Sequence, residues 1–174
     1  MIRAIAAIDD KRGLAAPNHP PYNVPWYIPE DLAEFKSKTL NSTVVMGRST
    51  YDTLQKPLPN RRNVVASRVN QVLRPGFELI TDLPGFLKDA EGDIWVIGGG
   101  EIYKTALPYC DELHITHVKG DFGCDVFFPE YEPDFELVGS TPEQHSNGYD
   151  FNFAVYKQII NRRALRGDPP VLPS

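Results

Sequence analysis

Apolar residues along the chain gather in short blocks set apart by polar, glycine- and proline-marked breaks. Blocks over 2–8, 43–46, 63–66, 77–81 and 94–97 are strand-sized. Val44-Val45-Met46 and Ile94-Trp95-Val96-Ile97 are unbroken hydrophobic runs, as strands buried on both faces should be. Between the blocks the spacing predicts helices over 29–40, 49–54, 83–90 and 101–107. This alternation predicts an α/β domain with a mostly parallel sheet covered on both faces. Beyond residue 110 the pattern changes, with strands over 112–118, 135–139 and 151–159 and no helix among them. Phe151, Phe153 and Val155 alternate with Asn152, Ala154 and Tyr156, and the last two strands are expected to close the sheet antiparallel. Residues 161–174 carry three Arg and three Pro with no apolar period. They read as a poorly ordered extension of one domain spanning 1–160.

The 174 residues fit that single domain. Lys and Arg number 18 against 23 Asp and Glu, a net charge of −5. This balance lacks the electrostatic footprint of a nucleic-acid binder. No apolar run approaches the ~20 residues of a membrane span, so a soluble protein with no membrane partner is expected. The first strand turns polar at Asp9-Asp10-Lys11-Arg12, too early for the apolar core of a signal peptide. Cys110 and Cys124, outside any CxxC, suit reduced thiols in a cytoplasm. Proline is abundant at 16 residues, five of them between Pro17 and Pro29.

Two strand-to-helix junctions could carry anions. Ile97-Gly98-Gly99-Gly100-Glu101-Ile102-Tyr103 ends a strand in three glycines and starts a helix, so backbone N–H groups could meet a phosphate. It is no GxGxxG, since Tyr103 replaces the third glycine, and no P-loop Lys-Ser/Thr follows. Alone it fits an anion site and a tight turn equally well. In Val45-Met46-Gly47-Arg48-Ser49-Thr50, Arg48 opposes the helix dipole unless an anion lies between them. Taken alone, Arg48 reads more readily as a solvated surface charge. Two such junctions at strand carboxyl ends together suggest a dinucleotide.

In the segment 25–36, Pro29 suits a first helical turn, and Glu30 and Asp31 suit its dipole. By itself Asp31 is most simply a dipole partner. Yet Leu32, Phe35 and Thr39 continue an inward face from it, so the acid is placed to become buried and to need nitrogen donors. Other chemistries fail. His114 and His117, three apart on a strand, face opposite sides and cannot share a metal, and no metal site is expected. No GxSxG elbow occurs. Asn41-Ser42-Thr43 matches a glycosylation acceptor by chance.

Together these motifs resemble the dihydrofolate reductase family across 1–159. The matching residues are Ile2–Ala7, Pro25-Trp26, Pro29-Glu30-Asp31-Leu32 with Phe35-Lys36, the 45–50 segment, and Pro57-Leu58-Pro59-Asn60-Arg61. They continue through Val96–Tyr103 and Asp125 before Phe128-Pro129. The resemblance implies an eight-stranded mixed sheet with four helices. It also implies reduction of dihydrofolate by NADPH, with hydride to C6 and a proton to N5, susceptibility to antifolate inhibitors, and a monomer. It makes Asp31 the carboxylate that grips the pterin, Thr116 its hydrogen-bond partner, and Trp26 the aromatic that helps hold a water nearby. Ile5, Leu32, Phe35, Leu54, Leu58, Ile97 and Tyr103 would line the substrate site, and Arg61 would pair with the glutamate tail. On the cofactor side it implies backbone contacts from Ala7 and Leu14. Gly47, Ser49, Thr50, Ile97, Gly98, Gly99, Gly100, Glu101, Ile102 and Tyr103 would contact the nucleotide, with a cis bond between Gly98 and Gly99. Arg48, Ser67 and Arg68 would hold the 2′-phosphate.

Ala15 departs from the family, which has glycine there, and implies a different local path. The longer, proline-rich loop 13–25 is expected to act as a stiff lid hinged near Gly13. Two rivals remain at this stage: a related reductase of another pterin or a ribosylated pyrimidine, and a noncatalytic folate- or nucleotide-binding module.

Overall fold

A computed structural model describes residues 1–159, so the expected extension over 161–174 lies outside the described residues. In chain order the strands are β1 (Ile2–Ile8), β2 (Gly13–Ala15), β3 (Thr43–Gly47), β4 (Arg62–Ala66), β5 (Phe77–Ile80), β6 (Ile94–Gly98), β7 (Glu112–Val118), β8 (Val126–Phe127), β9 (Phe135–Ser140), β10 (Gln144–Ser146) and β11 (Tyr149–Gln158). The helices are α1 (Pro29–Thr39), α2 (Arg48–Thr53), α3 (Leu83–Lys88) and α4 (Gly100–Ala106), with a 3-10 turn at Leu107–Tyr109. The main sheet runs β10-β11-β7-β1-β6-β3-β4-β5, and β9 also pairs with β11. Pairings from β7 through β5 are parallel, and those of β11 are antiparallel.

The sheet has nine segments rather than the eight expected, because its last edge is broken. β9 pairs with Ala154–Gln158 and β10 with Tyr149–Phe151, both along one side of β11. Between them Pro142 has no N–H to offer. Thr141 bridges the gap, its Oγ1 accepting from the Phe153 amide at 2.9 Å while its own amide donates to the Phe153 carbonyl at 2.9 Å.

Alternation along each strand divides the interior in two. Ile2, Ala4, Ala6 and Ile8 join Val45, Val96, Leu87, Tyr103 and Ala106 under α3 and α4. On the other face Val44, Met46, Val65, Trp95 and Tyr51 form a second cluster, against which Ile5, Leu54, Leu58 and Ile97 pack half-buried. Helix α1 lies over that second face, yet buries only Thr39. Glu30 and Asp31 in its first turn and Lys36 and Lys38 in its last complement its dipole.

The loop after β1 is built differently from the expected hinge. Asp9 is 3% exposed, and its carboxylate accepts from the amides of Lys11 (2.9 Å), Gly13 (2.7 Å) and Phe122 (3.1 Å). β2 pairs antiparallel with β8. Gly13 is therefore clamped, and Ala15 takes an ordinary strand conformation whose carbonyl accepts from Asp125. Beyond it, the Ala16 amide donates to the Asn23 carbonyl at 2.8 Å, closing a small exposed loop over 17–22 that contains the cis Pro20–Pro21 bond.

A Cβ at Gly13 would lie 2.5 Å from the Cys124 Cβ and 2.8 Å from Asp9 Oδ1. Gly13→Ala should therefore lower the free energy of unfolding in urea by about 1–3 kcal/mol, the usual cost of overpacking. Hydrogen exchange should quicken only at 9–16 and 120–124. Unchanged stability would show that this corner can relax.

Candidate active site

Asp31 and Thr116 meet across the gap beneath α1. The Thr116 hydroxyl donates to Asp31 Oδ1 at 2.6 Å. The other carboxylate oxygen has no partner among the described residues. Burial pushes the Asp31 carboxyl up from the usual aspartate range, Thr116 and Lys38 pull it back down, and Glu34 adds a smaller upward push. Thr116 reaches α1 because β7 runs in register with β1, pairing Ala7 with Thr116 and Ile5 with His114. These four residues share the face that α1 covers.

The C-terminal half of α1 is fixed by two more polar contacts. Lys38 Nζ lies 3.0 Å from His114 Nδ1, and the His114 ring packs edge-on against Trp95. Burial and Lys38 hold the His114 imidazole well below its usual range, so it is neutral at pH 7. The buried Thr39 hydroxyl donates to the Phe35 carbonyl and accepts from Arg61 Nη1 at 3.0 Å. Arg61 Nε donates to the Pro59 carbonyl at 2.9 Å. No carboxylate pairs with Arg61 among the described residues. Eight residues of helix separate Asp31 from Thr39, or about 12 Å.

Of the expected substrate residues, the structure gathers Ile5, Leu54, Leu58 and Ile97 on one apolar surface. Leu32, 54% exposed, and the half-buried Phe35 lie on α1 and are not packed into that surface. The Tyr103 ring is not a site wall. It is 4% exposed, tilted against Phe128 at 4.9 Å, and reaches the site only through its hydroxyl, which donates to the Ile5 carbonyl at 2.6 Å. Trp26 is buried with Val118 and Phe151 and lies edge-on to Phe122. Leu14 packs on the far side of the sheet, so any contact it makes at the site is through its backbone.

A second cleft, about 570 Å³, opens where α2 and α4 begin. Gly47, Arg48, Ser49, Gly99, Gly100, Glu101 and Ile102 line it on the helix side. Neither helix start has a side-chain cap, so first-turn N–H groups are left for a bound group. Glycine is required for the two turns to approach. A Cβ on Gly47 would meet Ile102 at 2.5 Å, one on Gly99 would meet Ser49 Oγ at 3.2 Å, and one on Gly100 would meet Val126 at 3.1 Å. The Gly98–Gly99 bond is cis, as expected, and Gly98 has φ +118°. Arg48 pairs with Asp52 at 3.0 Å and donates to Gln71 Oε1. Ser67 accepts from Val69 and Gln71, while Arg68 is exposed with no partner among the described residues.

Sequence reasoning missed Lys104, Asp125, Val126, Phe127 and Pro129, which also line this cleft. Lys104 comes from α4, and the other four arrive on or beside β8, too short for any periodicity to mark. It missed Thr39 as the support of Arg61, although a threonine hydroxyl turned back on the helix is a recognisable habit. Nothing in the sequence pointed to Gln71.

The family model described as "Dihydrofolate reductase" matches residues 1–158. A dihydrofolate reductase of Bacillus subtilis is 34% identical over 169 residues, covering 94% of this chain and 98% of that protein. One from Buchnera aphidicola is 38% identical over 161 residues, covering 88% and 97%. Among solved structures, a dihydrofolate reductase from Enterococcus faecalis complexed with NADP(H) and RAB-propyl superposes with a TM-score of 0.81 at 28% identity. That match covers 92% of this chain and 97% of the other.

The raised Asp31 carboxyl has a stability consequence. Folding favours its protonated form, so the stabilising contribution is fully present below the unfolded value near 3.8 and is lost as pH rises through the folded value. Asp31→Asn keeps an acceptor for Thr116 and never ionises. Its melting temperature should exceed wild type at pH 7, and the gap should shrink on acidification and close below about pH 3. A gap that stays constant with pH would show that the charge costs the fold nothing.

Proposed function

The chain belongs to the dihydrofolate reductase family, and from that premise we infer that it reduces 7,8-dihydrofolate to 5,6,7,8-tetrahydrofolate with NADPH. The observation that carries the substrate is the placement of Asp31 near one end of α1 and of Arg61, bonded to Thr39, at the other. A half-buried carboxylate with one free oxygen suits a 2-amino-4-oxo ring, which offers two N–H donors side by side. An Arg with no carboxylate partner about 12 Å along the helix suits a carboxylate tail. A pterin lacking a glutamate, or a ribosylated pyrimidine, would use one end only. The apolar surface of Ile5, Leu54, Leu58 and Ile97 lies on the sheet side for the rings between, with Phe35 and Leu32 available from α1.

NADPH, when bound, supplies the hydride that reaches C6. The cleft fits it: two uncapped helix starts brought together by glycines suit the pyrophosphate, and Arg48 and Ser67 suit the 2′-phosphate. Ala7, half-buried beside Thr116 on the sheet, and Leu14 at the start of the loop would meet the carboxamide. Asp31 binds the ring through both oxygens while Thr116 keeps its own lone pair on Oδ1. In that sheltered setting its negative charge favours a proton at N5. Trp26, buried just before α1, would help hold a water near the acid. Tyr103 fixes the Ile5 carbonyl and with it the line of β1. The enzyme acts as a monomer of one domain spanning 1–160 in the cytoplasm, without nucleic-acid partners. In support, the described residues share one main sheet, the net charge is −5, and no described helix is long and apolar enough to cross a membrane.

Asp31→Asn should keep NADPH binding and lose about 10²–10⁴-fold in turnover at neutral pH, the usual worth of general acid–base assistance. The deficit should narrow in acid, where dihydrofolate arrives already protonated. Loss of NADPH absorbance at 340 nm is the assay, and near-normal rates at pH 7 would remove Asp31 from the mechanism.

Arg48→Ala should raise the KM for NADPH by about ten- to a hundredfold, as for one lost charge-assisted contact, while barely moving that for NADH. Equal losses with both cofactors would make Arg48 a structural residue.

A further inference from the structure

The side chain of Gln71 spans the two groups assigned above to the 2′-phosphate. Its Oε1 accepts from Arg48 Nη1, and its Nε2 lies 3.4 Å from Ser67 Oγ. Arg48 opens α2 and Ser67 follows β4, so the amide bridges two different elements. Chance does not bring it there. Arg74, three residues on, ties the segment to α2: its amide donates to Tyr51 Oη at 2.9 Å, and its Nη2 donates to the carbonyls of Tyr51 at 2.7 Å and Leu54 at 2.6 Å. Its guanidinium lies 3.8 Å over the Tyr51 ring. Val69 and Val72 turn outward, 67% and 98% exposed, while Gln71 turns back toward Arg48.

We propose that the Gln71 amide is the resident occupant of the 2′-phosphate site, displaced when a 2′-phosphorylated nucleotide binds. The proposal rests on the assignment of Arg48 and Ser67 to that phosphate. An amide places an oxygen and a nitrogen across one carbon, a span close to that between two oxygens of a phosphate. Its oxygen takes from Arg48 the hydrogen bond a phosphate oxygen would take. Ser67 Oγ already accepts from the Val69 amide, so its own hydrogen remains free for a phosphate once Gln71 leaves. Asp52 holds Arg48 Nε, a contact that uses a different nitrogen from the one Gln71 occupies. With a nucleotide lacking the 2′-phosphate, Gln71 remains, and Arg48 is not left unpaired. Gln71 therefore narrows the preference for NADPH over NADH.

The test is equilibrium titration of NADPH and NADH, with adenosine 2′-monophosphate as a probe of the phosphate site alone. Gln71→Ala should tighten NADPH and the probe by about three- to tenfold, the release of one ordinary hydrogen bond, and leave NADH unchanged. Gln71→Glu places a fixed anion against Arg48 and should weaken both phosphorylated ligands at least tenfold, again sparing NADH. Weaker NADPH binding by Gln71→Ala would overturn the proposal, because Gln71 would then hold Arg48 for the phosphate instead of competing with it. Equal shifts for NADPH and NADH would overturn it as well. Arg48→Ala separates this from failure of the underlying assignment: if its NADPH-to-NADH ratio matches wild type, the phosphate site lies elsewhere and the proposal falls with it. If that ratio collapses while Gln71→Ala changes nothing, only the role of Gln71 is refuted.

Discussion

The hydrogen bond from Thr116 to Asp31, 2.6 Å across the gap between β7 and α1, joins the sheet to a helix that buries only Thr39. A helix of this length ordinarily seats an apolar stripe on its sheet. Here polar contacts stand in for that stripe, from Asp31 at one end to Lys38 and Thr39 at the other. Ile5, Leu54, Leu58 and Ile97 consequently keep half-buried apolar surface that the protein itself does not cover. The cleft exists because side-chain hydrogen bonds set the helix position and hydrophobic collapse does not.

The same contact carries a conflict between folding and chemistry. A carboxyl pushed upward by burial costs the folded state at neutral pH, and a neutral side chain in its place would cost less. The charge is kept where a ligand with two N–H donors can satisfy it. On the cofactor side the equivalent sacrifice is the set of uncapped helix starts at Gly47 and Gly99. Each leaves first-turn donors that a Ser or Asp cap would have satisfied. Both halves of the site are thus groups left partly unsatisfied by the chain.

Much of this was legible in the residues. The parallel strands announced themselves as unbroken apolar runs, and the helices as short amphipathic stretches between them. Arg48 and the glycine run stood out because each sits where local stability alone would not favour it, and Asp31 because the inward face of α1 continues from it. The short elements were not legible. β2 and β8 have too few residues for any period, and β2 is held through the Asp9 carboxylate, a tertiary contact with no local signature. β10 did leave a signal that went unread: Asn147-Gly148, both at positive φ, form the tight turn into β11. Tyr103 misled because its spacing after the glycines suits the site, while its ring is drawn into the core against Phe128. Gln71 became visible only once Arg74 had fixed the path of its loop.

The broken edge of the sheet bears on how the protein behaves in a crowded solution. An outer strand with a full row of free amides and carbonyls invites a second chain to add to it, and Leu137 and Val138 on β9 are 56% and 54% exposed. That row is not continuous here. The register slips within β9 where Val155 gives way to Tyr156, and Pro142 then interrupts it before β10 resumes. An incoming strand would find at most three residues of unbroken ladder on either side, too little to hold it. The edge that finishes the fold also discourages self-association, so the apolar residues it shows to solvent do not become the seed of an aggregate.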